Sequence, residues 1–272
     1  MQNRTLVSVL SAAVATLSFA APAAASAPAS APAFESAFAS ASGSRAADIE
    51  WNPAAISLTS WKLTKNAYTV KSSDGCAVRA KVSAVLSGPM PTENVFASAV
   101  GADFYLGGEI TGYTVLASTG GNTWSGDVTV CGSDAAGTYR MELYGAYATG
   151  TGLDDPDFAV YRTNVATTTF TVKRPATVTL NATPEPVKKG GKLTANGTLT
   201  SDGKKLANTP VQIWFKADGA SAYTKAGTAK TDAKGAWSKT FTAKTSGTWK
   251  AVVPGTGTRN ETVAYDAVKV GK

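Results

Sequence analysis

Histidine is missing from all 272 residues. With it go the commonest general base and the commonest metal ligand at neutral pH. A Ser-His-Asp triad cannot be assembled. Cysteine is nearly missing: Cys76 and Cys131 are the only pair. Two thiols without imidazole do not make a structural zinc site, and their separation is not the C-x-x-C of a redox couple. Arginine is scarce in the second half, where Arg259 is the one arginine among 15 cations of residues 175–272. That stretch therefore lacks the planar forks suited to bidentate phosphate contacts. Long apolar runs stop after Ala20, and the last residues, Val268 to Lys272, form no hydrophobic tail. Past the first residues, no 3.6-residue apolar period with caps is sustained, which argues against helices.

The chain does carry an N-terminal export pattern. Arg4 supplies positive charge, Leu6 to Ala20 is apolar, and small residues follow at Ala23, Ala24 and Ala25. That order predicts a signal peptide over 1–25 with cleavage after Ala25. The apolar run is shorter than the ~20 residues that cross a bilayer, so no transmembrane segment is expected in the mature form. Residues 26–46 are almost all Ala, Ser and Pro, the composition of a spacer with little to bury. Phe34 and Phe38 are its only aromatic side chains. The expected location is secreted, extracellular.

The remainder divides by charge. Residues 47–172 hold 7 Lys/Arg against 12 Asp/Glu, a net of −5, while 175–272 hold 15 against 6, a net of +9. A basic domain outside a cell is drawn to anionic polymers. The plainer reading is a Lys-decorated sheet that resists edge aggregation.

Alternating runs of Thr, Val, Ala and aromatics, broken by Gly, Asn and Asp, predict an all-β chain. In the first half they include Ile56–Thr59, Ala67–Val70, Cys76–Val82, Phe104–Leu106, Tyr113–Leu116, Trp124–Cys131, Gly137–Tyr144 and Thr167–Val172. In the second they include Ala176–Leu180, Lys192–Leu199, Pro210–Phe215, Tyr223–Lys230, Trp237–Ala243, Thr248–Val253 and Thr262–Val270. Seven or eight strands in about a hundred residues is the scale of an immunoglobulin-like domain. The halves also echo each other. Trp124-Ser125 followed by Gly137-Thr138-Tyr139 parallels Trp237-Ser238 followed by Gly247-Thr248-Trp249. Tyr113-Thr114 parallels Tyr223-Thr224. A tandem duplication is expected, with its break near Lys173-Arg174-Pro175.

Three stretches of the second half resemble the bacterial immunoglobulin-like modules of secreted actinobacterial proteins: Ala182 to Leu193 (ATPEPVKKGGKL), Val211 to Lys216 (VQIWFK) and Thr231 to Trp237 (TDAKGAW). The first half is similar only loosely, since it adds the cysteine pair and a longer segment from Leu86 to Val100. The resemblance implies two tandem immunoglobulin-like antiparallel β-sandwiches, at 47–174 and 175–272. It implies no single function, because such modules serve as spacers, adhesins and enzyme appendages.

In a sandwich of that topology, Cys76 opens the second strand and Cys131 closes a strand antiparallel to it in the same sheet. An even cysteine count in an exported chain predicts one disulfide, here at the end of a single sheet rather than across the two. Its long loop stabilises by about 4 kcal/mol in the chain-entropy account.

Chemistry-bearing clusters are few. Glu109, Glu142, Asp154, Asp155 and Asp157 are the carboxylates from which a glycan-hydrolysing pair would be drawn. Asp154, Asp155 and Asp157 surround Pro156 and offer hard oxygens to Ca²⁺, though without EF-hand spacing. A solvated turn shaped by Pro156 is the plainer reading. Trp124, Trp214, Trp237 and Trp249 sit in apolar strand patterns and are expected in the cores. Trp51 and Trp61 lie near the start of the first sandwich. Tyr105, Tyr113, Tyr144, Tyr147 and Tyr161 are the candidates for a sugar-stacking platform. Asn181, Asn196 and Asn260 stand in Asn-x-Thr triplets that a bacterial leader leaves unglycosylated.

The expectation is therefore a non-catalytic binding or structural protein of the cell exterior, with no cofactor. Its expected partner is a cell-envelope polymer, polysaccharide or extracellular protein, without specific nucleic-acid recognition. The competing classes are a carboxylate-dependent glycan hydrolase and a secreted inhibitor that presents the loop Ser87 to Phe96.

Overall fold

A computed structural model describes residues 51–151 and 155–272. The expected leader, the spacer with Phe34 and Phe38, and Asp154 lie outside the described residues. The described chain is all strand and turn, as the alternating patterns predict. It divides into two compact units. Of the described residues, the first holds those up to Tyr68 with Cys76–Val130 and Thr138–Thr171; the second holds Val172–Lys272 with Thr69–Gly75 and Cys131–Gly137.

The first half contributes β1 (Trp51–Pro53), β2 (Leu58–Leu63), β3 (Ala67–Thr69), β4 (Ala77–Leu86), β5 (Val95–Leu106), β6 (Glu109–Gly120), β7 (Thr123–Val130), β8 (Gly137–Thr149), β9 (Ala159–Arg162) and β10 (Ala166–Lys173). Strands β2, β4 and β7 form one antiparallel layer. Strands β6, β5, β8 and β9 form the other, with β1 parallel to β9. The long β6 serves both. Up to Leu116 it pairs with β5, and from Ala117 it pairs with β7. Where it crosses, Gly126 of β7 lies so close that a Cβ there would sit 2.8 Å from the Val115 carbonyl oxygen. Glycine permits that approach and any side chain would push the strands apart.

The interior of this sandwich is built from one parity of each strand. Val82, Ala84 and Leu86 of β4, Val100, Ala102 and Phe104 of β5, and Met141 and Leu143 of β8 are all buried. Phe170 of β10 gathers the rings: it stacks on Tyr139 at 4.9 Å, meets Phe104 edge-on at 5.3 Å and lies 5.6 Å from Tyr68. Ala77 faces Val130 at the end of the β4–β7 ladder. The flanking residues Cys76 and Cys131 are disulfide-bonded, so the bridge closes one end of one sheet.

The second half contributes β11 (Ala176–Val178), β12 (Asn181–Thr183), β13 (Val187–Lys188), β14 (Lys192–Ser201), β15 (Lys204–Lys205), β16 (Pro210–Ala217), β17 (Thr224–Lys230), β18 (Ala236–Thr242), β19 (Gly247–Val253), β20 (Thr262–Val268) and β21 (Val270–Gly271). One layer centres on β14, which pairs with β11, β12 and β18. The other runs β17–β16–β19–β20, all antiparallel. The turn between β14 and β15 is the two-residue Asp202-Gly203, both at positive φ, the conformation that Asp-Gly hairpins require. The core is a single cluster around Leu193, Leu199, Val211, Ile213, Trp237 and Trp249.

The pairings repeat: β4–β7 corresponds to β14–β18, β5–β8 to β16–β19, and β5–β6 to β16–β17. The Trp-Ser and Gly-Thr-aromatic echoes of the sequence fall on equivalent strands, β7 and β8 in one half and β18 and β19 in the other.

Candidate functional site

Two sheets are equivalent by topology, and each has a face turned away from its own sandwich interior. The two faces are chemically opposite.

In the first half the outward parity of β5 and β8 carries Ala99, Gly101, Asp103, Tyr105, Arg140, Glu142, Tyr144 and Ala146. Most of this face is closed, with Arg140 exposed at its end. Ala99, Asp103, Tyr105, Tyr144 and Ala146 are all buried, Asp103 at 2% exposure. Val165 packs against Tyr144 and Ala146. The Tyr144 hydroxyl donates to Asp103 Oδ2 at 2.5 Å, and the Arg162 guanidinium lies 5.6 Å from the Tyr144 ring centre. Burial pushes the Asp103 carboxyl up to about 6, against the lowering effects of the Tyr144 hydrogen bond and the Arg162 charge. Burial also raises Tyr144 well above the usual phenol range, reinforced by the Asp103 charge. The crevice beside this pair has a volume of about 10 Å³, room for no more than a water molecule.

This closure decides the expected sugar platform. Tyr105, Tyr144 and Tyr147 are buried, and Tyr147 stacks on Tyr161 at 4.8 Å. Of the five tyrosines named, Tyr113 alone is exposed, at 44%. The described acidic candidates sit on different elements. Glu142 forms an ion pair with Arg140, and Glu109 sits at the start of β6. Asp155 Oδ2 accepts from the Thr151 amide and hydroxyl, and its Oδ1 accepts from the Asp157 amide at 2.9 Å. Those bonds hold the Asp155 carboxyl below the usual carboxylate range, the signature of a turn-forming Asp. Among the described residues no group of three or more His, Cys, Asp or Glu converges as metal ligands do.

In the second half the face opens. On β16, Val211, Ile213 and Phe215 point inward, so Gln212, Trp214 and Lys216 point outward. Trp214 thus departs from its expected place in the core. It is half-buried, unlike Trp237 and Trp249 at 3% and 5%. Register aligns a row across all four strands: Lys225, Trp214, Lys250, Tyr265. The Lys250 ammonium lies 4.6 Å from the Tyr223 ring centre and 5.6 Å from that of Trp214. Lys216 reaches the same Tyr223 ring at 5.3 Å. Tyr223 and Tyr265 are 6.3 Å apart, and Tyr265 is 60% exposed. Lys230 adds a further outward cation on β17, and no outward position of these four strands is Asp or Glu.

This cluster is a cationic surface with one exposed ring, Tyr265, beside the half-buried rings of Trp214 and Tyr223. Tyr223 and Tyr265 were not evident in the sequence as site residues. The period-two parity of Val211-Gln212-Ile213-Trp214 is the local signal that takes Trp214 out of the core. The row itself is made by strands far apart in the chain.

No helix among the described residues is long and apolar enough to cross a membrane. Comparison with protein-family descriptions gives no match, and comparison with curated proteins gives none. Among solved structures, the chain is similar to the D0–D1 domain of intimin at 15% identity, covering 79% of this chain and 99% of that one, with a TM-score of 0.27. It is similar to the adhesin InvE of Yersinia pseudotuberculosis at 14% identity, covering 78% and 59%, with a TM-score of 0.31. It is also similar to a superoxide reductase (neelaredoxin) of Ignicoccus hospitalis at 17% identity, covering 35% and 80%, with a TM-score of 0.28. The fold assignment rests on the strand pairing itself.

Proposed function

We propose that this chain is a secreted, non-catalytic binding protein of the cell exterior that holds anionic envelope polymer or carbohydrate. The outward face of β17–β16–β19–β20 is its binding surface. The observation that carries this reading is the composition of that face: Lys216, Lys225, Lys230 and Lys250 beside Trp214, Tyr223 and Tyr265, with no outward carboxylate. Unopposed lysines attract polyanions, and the exposed Tyr265 ring adds stacking area at low entropic cost. The leader pattern at 1–25 and the Cys76–Cys131 disulfide support an oxidising destination. The boundaries 47–174 and 175–272 belong to this proposal, as does kinship with the bacterial immunoglobulin-like modules.

The test is co-sedimentation of the purified protein with insoluble wall material and polysaccharides. The expected result is retention that weakens with salt, since exposed charges are screened, without release of reducing ends. Failure to be retained contradicts the proposal. Release of reducing ends that disappears in Glu142→Gln and Asp157→Asn variants replaces it with glycan hydrolysis.

A further inference from the structure

Resting on the reading of this face as the binding surface, we infer its ligand class: a linear glycan carrying a carboxylate on alternate sugars. The glycan is laid across the strands along the row Lys225, Trp214, Lys250, Tyr265. Neighbouring strands lie about 4.8 Å apart, so the backbone positions of the row read cation, ring, cation, ring at that interval. Its two ammonium-bearing positions are separated by two strand spacings, about 10 Å. A sugar unit in an extended glycan advances by about one strand spacing and a disaccharide by about two. Acidic and neutral sugars in alternation therefore meet lysine and aromatic ring in alternation.

The chemistry of each position fits. The Lys250 ammonium already rests against the Tyr223 and Trp214 rings. A lysine so held loses less rotamer freedom when an anion arrives. One ammonium pairs with one carboxylate as a point charge, without the fork geometry that favours arginine at phosphate. Tyr265, one strand further, presents an exposed ring of the kind on which the C–H face of a neutral pyranose stacks.

Polyphosphate has no ring to use Tyr265. A single-stranded nucleic acid keeps its phosphates along one side and its bases along the other. It is served by a basic groove running beside a line of stacking rings, whereas this row interleaves the two.

The experiment is a titration of the purified full chain with five probes of matched length. They are hyaluronan oligosaccharide (alternating uronate and neutral sugar), polygalacturonate (a carboxylate on every sugar), chitin oligosaccharide (neutral), inorganic polyphosphate and a single-stranded oligonucleotide. Hyaluronan is expected to bind about tenfold or more tighter than each of the others. Tyr265→Ala and Lys250→Gln are each expected to weaken hyaluronan about tenfold. Tyr265→Ala should leave any residual polyphosphate binding unchanged. Unchanged circular dichroism and melting temperature establish that these exposed-face variants are folded. Equal or tighter binding of polygalacturonate, polyphosphate or the oligonucleotide overturns the alternating-glycan inference while keeping a polyanion surface. Tightest binding of the chitin oligosaccharide overturns the role of the lysines. Binding of none of the five overturns both this inference and the reading on which it rests.

Discussion

The two halves use the same strand pairings to make opposite surfaces. On β5 and β8 the outward positions are small or internally satisfied: Ala99, Gly101 and Ala146 surround the buried Asp103–Tyr144 hydrogen bond. On β16 and β19 the equivalent positions hold Trp214, Lys216 and Lys250, which stay in reach of solvent and of one another. Topology fixes where a face lies, and the outward parity alone decides whether it is sealed or available. Function on such a scaffold is a property of the outward residues rather than of the fold. The interiors differ as well. The first packs three rings around Phe170. The second packs Phe215 and Phe241 against Trp249, at 4.8 and 4.6 Å.

Four variants separate the halves. Trp249→Ala empties the centre of the second core, and by the cost of truncating buried aromatics it should remove up to about 5 kcal/mol. Urea unfolding should show that loss in the second half, while the near-ultraviolet signal of the Tyr139–Phe170 stack persists. Replacing both cysteines with alanine should cost about 4 kcal/mol in the first half. The strands of residues 175–272, a stretch with no cysteine, should melt unchanged.

Asp103→Asn tests the sealed face through pH. The folded carboxyl binds its proton more tightly than the usual carboxylate near 3.8, holding it up to about 6. Stability should therefore fall as pH rises from about 4 to 6 and level off above, by on the order of 3 kcal/mol. The asparagine variant should lack that slope in denaturant titrations across the same window. A wild-type curve that rises there relative to the variant contradicts the burial account. The smallest effect belongs to Tyr265→Ala on the open face. Its ring is 60% exposed, and the change in stability should stay within about 0.5 kcal/mol.

Much of the fold was legible because period-two alternation and turn residues are local signals. The runs at Trp124–Cys131, Lys192–Leu199 and Thr248–Val253 fall on β7, β14 and β19 within a few residues. The position of the disulfide followed from strand order together with the sandwich topology that the resemblance implies. The first part of β5 escaped notice because Ala99-Val100-Gly101-Ala102 is small and buried on both faces, so it shows no alternation. Strand β9, four residues long, follows an Asp-rich turn that reads as loop. The binding face was harder to see. Trp214 reads as core because it stands between Ile213 and Phe215 in an apolar run, whereas strand parity turns it outward. Lys225, Lys250 and Tyr265 become neighbours only through the pairing of β16 with β17 and β19, and of β19 with β20. That long-range register is not written in any short window.

The most direct measurement is the indole N–H region of a ¹H–¹⁵N spectrum during titration with a uronate-containing glycan. The six tryptophans give separate reporters. The account predicts that the Trp214 signal shifts progressively, while those of the core residues Trp237 and Trp249 stay in place. Shifts confined to Trp61 or Trp124 of the first half, with Trp214 unmoved, would contradict it.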